Sequence, residues 1–248
     1  MLPILITDDG PIRTIRMNRP EKKNALTLAM YDAMAEAIEK AQANGAVRCL
    51  MIAGAPGAFC AGNDLNDFVA MAQGGGLGAP ILRFLHALAR NDKPLVAAVS
   101  GVAVGVGTTM LLHCDQVFAA DDARLSTPFV SLGLVPEAGS SLLAPRLMGH
   151  ARAFSLLVMG KPLSAGEAMQ AGIVNAVVPA AELEQAALAA ARAIAALPAE
   201  GIAITRRLMR GSVEEIIARI DEEAALFKGR LASPEAHAAF AAFFNRKP

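Results

Sequence analysis

Two apolar runs, Val47 to Ala53 and Pro94 to Val99, each lead into a loop punctuated by glycine and then into a stretch of helical character. Neither run alternates polar with apolar residues, so each reads as a strand buried on both faces, as the strands of a parallel sheet are. Parallel neighbours require crossover connections, and strand–turn–helix units in series wind them right-handed into a layered α/β core. Gln116 to Ala120 supplies another strand after the turn Ser100 to Gly107 and a short helix over Thr108 to His113.

The flanking segments fit around that core. Ile4-Leu5-Ile6 and Ile12 to Met17 are β-rich runs on either side of the turn signal Asp8-Asp9-Gly10, and together predict an opening hairpin. Thr27 is placed to cap a helix whose Met30, Met34, Ile38 and Ala41 share one face. Gly74 to Gly78 predicts a mobile surface segment before an amphipathic helix around Ile81, Leu82, Leu85 and Leu88. Beyond Pro179 the strand signal ends, and helices are predicted at about 182–196, 200–210, 213–228 and 234–244. The division expected is a core over residues 1–197 and a helical, oligomer-forming subdomain over residues 198–248.

Composition excludes several classes of function. Lys plus Arg and Asp plus Glu are both 23, so no global field draws the chain to nucleic acid or an anionic membrane, and an anionic ligand has to be held locally. Cys49, Cys60 and Cys114 lack metal-type spacing and read as reduced, buried thiols, and His86, His113, His150 and His237 are too scattered for a metal site. No leader, spanning run, prenylation box or peroxisomal tripeptide is visible, so a cytoplasmic protein is expected.

The Gly-containing loops Ala58 to Asp64 and Gly101 to Gly107 each follow a strand and precede a helical stretch, where backbone N–H groups are free to meet an oxyanion. The second loop is not a phosphate-binding loop, because no Lys-Ser or Lys-Thr follows it, and Gly105-Val106-Gly107-Thr108-Thr109-Met110 lacks the last glycine of a dinucleotide fingerprint. Five further strings follow one another in the chain: Asn18-Arg19-Pro20 with Asn24-Ala25-Leu26; Ala58-Phe59-Cys60-Ala61-Gly62-Asn63-Asp64-Leu65; Ser100-Gly101-Val102-Ala103-Val104-Gly105; Cys114-Asp115; and Leu132-Gly133-Leu134-Val135-Pro136. In that order, over about residues 12–175, they resemble the successive signatures of the crotonase (enoyl-CoA hydratase/isomerase) superfamily.

The resemblance implies a crotonase-like (ClpP/crotonase) layered ββα superhelix with a C-terminal helical subdomain, assembled as a homotrimer or dimer of trimers. It implies an acyl-CoA thioester as substrate, with no cofactor beyond the CoA that the substrate carries. The N–H groups of Ala61 and Val106 would form an oxyanion hole, each donor being worth about 3–4 kcal/mol to an enolate. Ala61, Gly62, Asn63, Asp64 and Leu65 would line the adenine pocket, with Gly105 and Phe129 also facing substrate.

Which reaction follows depends on the carboxylates. Hydratases of this family hold a water between two glutamates, and the matching positions here are Thr109 and Phe129, neither of which can act as a base. Glu137, after Pro136 and at the start of an apolar helical stretch with Leu142, Leu143 and Leu147, resembles the glutamate of the Δ3,Δ2-enoyl-CoA isomerase branch, which shuttles a proton between C2 and C4. An apolar surround would raise the protonation point of Glu137 and a helix N-terminus would lower it. Enoyl-CoA isomerisation is the expectation; hydration or other enolate chemistry, and a non-catalytic acyl-CoA-binding scaffold, are the alternatives. Cys60 reads as a small buried residue, Asn63 or Asp64 as a ligand contact or helix cap, and Thr205 to Arg210 as a solvated basic face that could meet CoA phosphates.

Overall fold

The computed structural model describes residues 2–64, 67 and 78–245. Strands β1 (Ile4–Asp9) and β2 (Ile12–Met17) form the expected hairpin, turning at Gly10 with φ 58°. From β2 the sheet continues in parallel through β3 (Cys49–Gly54), β4 (Leu95–Val99), β6 (Gln116–Ala120) and β9 (Ala176–Val178), in the order β1-β2-β3-β4-β6-β9.

Burial on both faces explains why the strands lack alternation. Leu50, Ile52, Leu95, Ala97 and Val99 point into one core cluster, shared with α1 (Leu28–Ala43) and α2 (Ala79–Arg90). Cys49, Met51, Ala53, Val96 and Ala98 point to the other face, where α7 (Leu183–Ala196) covers them with Leu183, Ala187, Ala191 and Ala195. Helix α1 begins as its sequence predicts, with the Thr27 hydroxyl accepting from Met30 N–H at 3.3 Å.

A smaller sheet gives the fold its second layer. The segment read as a plain turn over Ser100 to Gly107 contains β5 (Val102–Val104), paired in parallel with β7 (Arg124–Ser126), which pairs antiparallel with β8 (Leu163–Ser164). Only three residues long, β5 gives no periodicity from which a strand could be read. The helix expected from Thr108 starts earlier, as α3 (Val106–Thr109), and tightens into a 3₁₀ turn over Met110–His113.

Three more short helices, α4 (Ser140–Met148), α5 (His150–Leu157) and α6 (Ala165–Gln170), precede α7, and α8 (Ala199–Arg210), α9 (Val213–Leu231) and α10 (Pro234–Asn245) follow it. Helix α9 folds back onto α2 and α4, which brings the end of the chain to the loop before α4. Among the described residues, no single helix is long and apolar enough to cross a membrane. Leu65 lies outside the described residues, as does the glycine-rich segment before α2 apart from Gly78.

Candidate active site

The two Gly-containing loops run side by side. Cys60 N–H donates to Val102 O at 3.0 Å and Val104 N–H to Cys60 O at 2.9 Å. A Cβ on Gly107 would lie 2.6 Å from Cys60 O, and one on Gly62, whose φ is 92°, 3.0 Å from Val104 O. Glycine is therefore required where the loops touch. Leu26 N–H donates to Gly62 O and Asp64 N–H to Leu26 O, both at 2.8 Å, so the residue between, Asn63, is held without its own N–H being used.

At this junction the N–H groups of Asn63, of Val106, the first residue of α3, and of Gly107 after it have no hydrogen-bond partner among the described residues. The Ala61 N–H, the donor expected from the motif, is instead engaged inside the fold, donating to Lys23 O at 2.9 Å. The free group on that loop lies two residues further on. Tyr31 of α1, fully buried, donates its hydroxyl to Asn63 Oδ1 at 2.6 Å, and burial pushes its phenol well above 10, which keeps it a donor. Asp64 pairs with Arg19 at 2.8 Å, and Arg19 also donates to Ala25 O at 2.9 Å, so the Asn-Arg-Pro string and the second string are tied together.

Gly105 turns the second loop with φ 55°; its N–H donates to Ser126 O at 2.9 Å and its carbonyl receives the N–H groups of Thr108 and Thr109. Phe129 is buried with its ring edge facing Gly105. Cys60 is buried too, and burial pushes its thiol to about 12, so no thiolate nucleophile is present near neutral pH.

Glu137 is 4% exposed and accepts a hydrogen bond from the Thr109 hydroxyl. Burial raises it from 4.5 to about 8, against the Thr109 bond, which favours the charged form, and with a smaller push in the same direction from the Glu223 carboxylate. Burial is the largest of these three influences. The residue does not open the helix as expected: α4 starts at Ser140, after Ala138 and Gly139 have both turned left-handed, with φ 62° and 69°. An alanine in that region is disfavoured by about 1 kcal/mol or more, so the turn has to be held from outside.

Two buried side chains hold it. His113 donates from Nε2 to Ala138 O at 2.7 Å, and burial lowers the ring to about 4, keeping it neutral. Glu223 of α9 accepts from Gly139 N–H at 2.6 Å and Ser141 N–H at 2.9 Å. Sequence reading passed over Glu223, which sits among the acids Asp221 and Glu222. A signal was available: Ile216, Ile220, Glu223, Phe227 and Leu231 are all buried and follow one another at three- and four-residue steps, so a carboxylate interrupts an apolar stripe.

The basic cluster in α8 is not simply a solvated face. Arg206 is buried against Asp115 at 2.8 Å and Asn91 O at 2.5 Å, and Arg210 also donates to Asn91 O, which makes both arginines ties between α8 and the core. What the Glu137 region offers chemically is a buried carboxylate poised near neutrality beside a second one, Glu223, whose oxygens are taken up by the turn, with the Asn63 side chain held nearby through Tyr31.

A profile of the family described as enoyl-CoA hydratase/isomerase matches residues 8–248. Enoyl-CoA delta isomerase 2 of Rattus norvegicus is 37% identical over 99% of this chain, which spans 64% of that protein's length. The 1,2-epoxyphenylacetyl-CoA isomerase of Escherichia coli is 36% identical over 81% of this chain and 79% of its own, and a probable enoyl-CoA hydratase of Rhizobium meliloti 30% identical over 98% and 95%. Among solved structures, Pseudomonas aeruginosa OdaA superposes with a TM-score of 0.94 at 44% identity, over 98% of this chain and 99% of that one. An enoyl-CoA hydratase/isomerase from Pseudoalteromonas atlantica gives 0.93 at 38% identity over 100% and 98%.

Proposed function

The chain belongs to the crotonase (enoyl-CoA hydratase/isomerase) family and has its fold, and from there we propose that it is a Δ3,Δ2-enoyl-CoA isomerase. In this reading a 3-enoyl thioester sits with its carbonyl oxygen at the junction of the two loops, where the N–H groups of Asn63 and Val106 receive the charge that develops on it. The Glu137 carboxylate removes a proton from C2; the electron pair enters the C1–C2 bond and the carbonyl oxygen, giving a dienolate conjugated with C3=C4. Return of that proton to C4 re-forms the thioester carbonyl and leaves the double bond at C2–C3, with Glu137 ionised again. The acyl-CoA brings the only CoA the reaction needs, and we propose the trimer or dimer of trimers that the family resemblance implies.

The observation that carries this reading is Glu137 itself: a buried carboxylate with its protonation raised to about 8, bonded to the threonine that stands at one of the two places where a hydratase would need a glutamate. One base that gives back what it takes suits a proton shuttle, whereas hydration requires a group to activate water as well. The test is an assay with a 3-enoyl-CoA, following growth of the conjugated 2-enoyl thioester, beside a hydration assay on a 2-enoyl-CoA. Conjugation abolished in Glu137→Gln with acyl-CoA binding kept is the expected result. Hydration without conjugation overturns it.

A further inference from the structure

We propose that Glu223, carried by the C-terminal helix α9, is a positioning residue for Glu137: it fixes the turn that presents the carboxylate. The inference rests on Glu137 being the proton shuttle. Nothing in the family signatures reaches Glu223, which is 86 positions away along the chain from Glu137 and enters the site only because α9 folds back on α4.

Three observations support it. The main-chain turn after Glu137 is unusual, two consecutive left-handed residues of which one is alanine, so its geometry is not self-maintaining. Both oxygens of Glu223 are engaged with that turn, one on Gly139 N–H at 2.6 Å and one on Ser141 N–H at 2.9 Å, while Ser140 N–H returns to Glu137 O at 3.1 Å. A two-oxygen clamp of this kind fixes the Ala138–Gly139 and Ser140–Ser141 peptide planes, and through them the direction in which the Glu137 side chain leaves the backbone. Finally, Glu223 is itself buried, an expensive place for a carboxylate unless the bonds it accepts matter to the fold or the site.

The groups around the two acids can be named from every side. Glu137 accepts from the Thr109 hydroxyl of α3 and lies within reach of the charge of Glu223 from α9, and its own charge is felt by Tyr31 of α1 and by Cys60 of the first loop. Burial raises Glu223 above the usual carboxylate range, against the bonds from Ser141 and Gly139 and, least, Arg219 on its own helix, which donates to Ser141 Oγ at 3.2 Å; these favour the charged form. His113 approaches the same turn through Ala138 O and is neutral. Removing the Glu223 charge leaves Glu137 without its like-charged neighbour, so Glu137 ionises at lower pH.

The experiment uses the full chain and the variants Glu223→Ala, Glu223→Gln and Glu137→Gln. Three quantities are measured: kcat and KM on a 3-enoyl-CoA across pH, affinity for a saturated acyl-CoA, and the carboxyl ¹³C titration of Glu137, assigned by its disappearance in Glu137→Gln. In Glu223→Ala, kcat on the alkaline plateau falls about tenfold or more, affinity for the saturated acyl-CoA stays within about twofold, and both the ¹³C midpoint and the acid limb of kcat/KM move down by about half a pH unit or more. Glu223→Gln keeps the volume and one acceptor; it recovers part of kcat while keeping the lowered midpoint, and it carries the test if the alanine variant does not fold. An unchanged kcat and midpoint overturns the inference, as does a parallel loss of binding and turnover with an unmoved midpoint. Turnover surviving in Glu137→Gln removes the proposed function and this inference together, whereas an inactive Glu137→Gln beside an unaltered Glu223→Ala removes the inference alone.

Discussion

Replacing Glu137 with glutamine should make the protein more stable, and increasingly so as pH rises. The carboxyl that ionises at 4.5 when unburied does so at about 8 in its site, so between those values the folded protein binds a proton that the unfolded chain has released. Stability contributed by the protonated acid is complete below pH 4.5, declines by about 1.4 kcal/mol per pH unit, and is lost once pH passes 8. Across that span of about 3.5 pH units the ionisation costs about 5 kcal/mol. Glutamine has nearly the same volume, accepts the Thr109 hydrogen bond through its amide oxygen and does not ionise, so Glu137→Gln escapes that loss. Urea or thermal unfolding of both proteins at each pH from 5 to 9 measures the gap: about 1 kcal/mol or less at pH 5 and about 5 kcal/mol at pH 9, where the melting midpoint should rise by about 10 °C or more. A gap that stays constant from pH 5 to 9 would refute the reasoning, because the wild-type carboxyl would then carry no ionisation cost in the fold.

Other consequences follow from the same contacts. In the proposed isomerisation, kcat/KM should rise about tenfold per pH unit up to about pH 8 and level off above it, since Glu137 acts as a base only when ionised; a flat profile between pH 6 and 9 contradicts that role. Thr109→Val removes the hydrogen bond that favours the charged form, so the acid limb should move to higher pH, the opposite direction to the Glu223 variants. Tyr31→Phe leaves Asn63 Oδ1 without its 2.6 Å donor, and should cost about 1–3 kcal/mol in chemical denaturation and lower kcat more than it raises KM. Lys93 donates to Ala41 O, Asn44 O and Val47 O at 2.6, 2.7 and 2.6 Å, closing the end of α1 onto the turn before β3; Lys93→Met should lose about 2–4 kcal/mol of stability with kcat unchanged.

The parts of this protein that could be read from sequence are those governed by neighbours a few residues apart. The hairpin at Gly10, the Thr27 cap and the apolar face of α1 all follow from local chemistry, and the two-sided burial of β3 and β4 follows from their unbroken apolar runs. The loops that line the site were located for the same reason. What sequence could not supply were the partners that decide which atoms in those loops remain available. Ala61 and Asn63 are equivalent as local sequence, and only the carbonyl of Lys23, 38 residues earlier, removes the N–H of one and leaves that of the other. Glu137 looked like a helix-opening acid, because nothing in Pro136-Glu137-Ala138-Gly139 announces that Ala138 will be left-handed; that conformation exists because His113 and Glu223 hold it from both sides. The same enclosure that makes the turn strained keeps water away from Glu137 and raises its protonation toward neutrality. In this fold the distant contacts that escape sequence reading are also the ones that set the acid's surroundings, and a substitution at Glu223 on α9 should therefore reach the proposed reaction as one at Thr109 does.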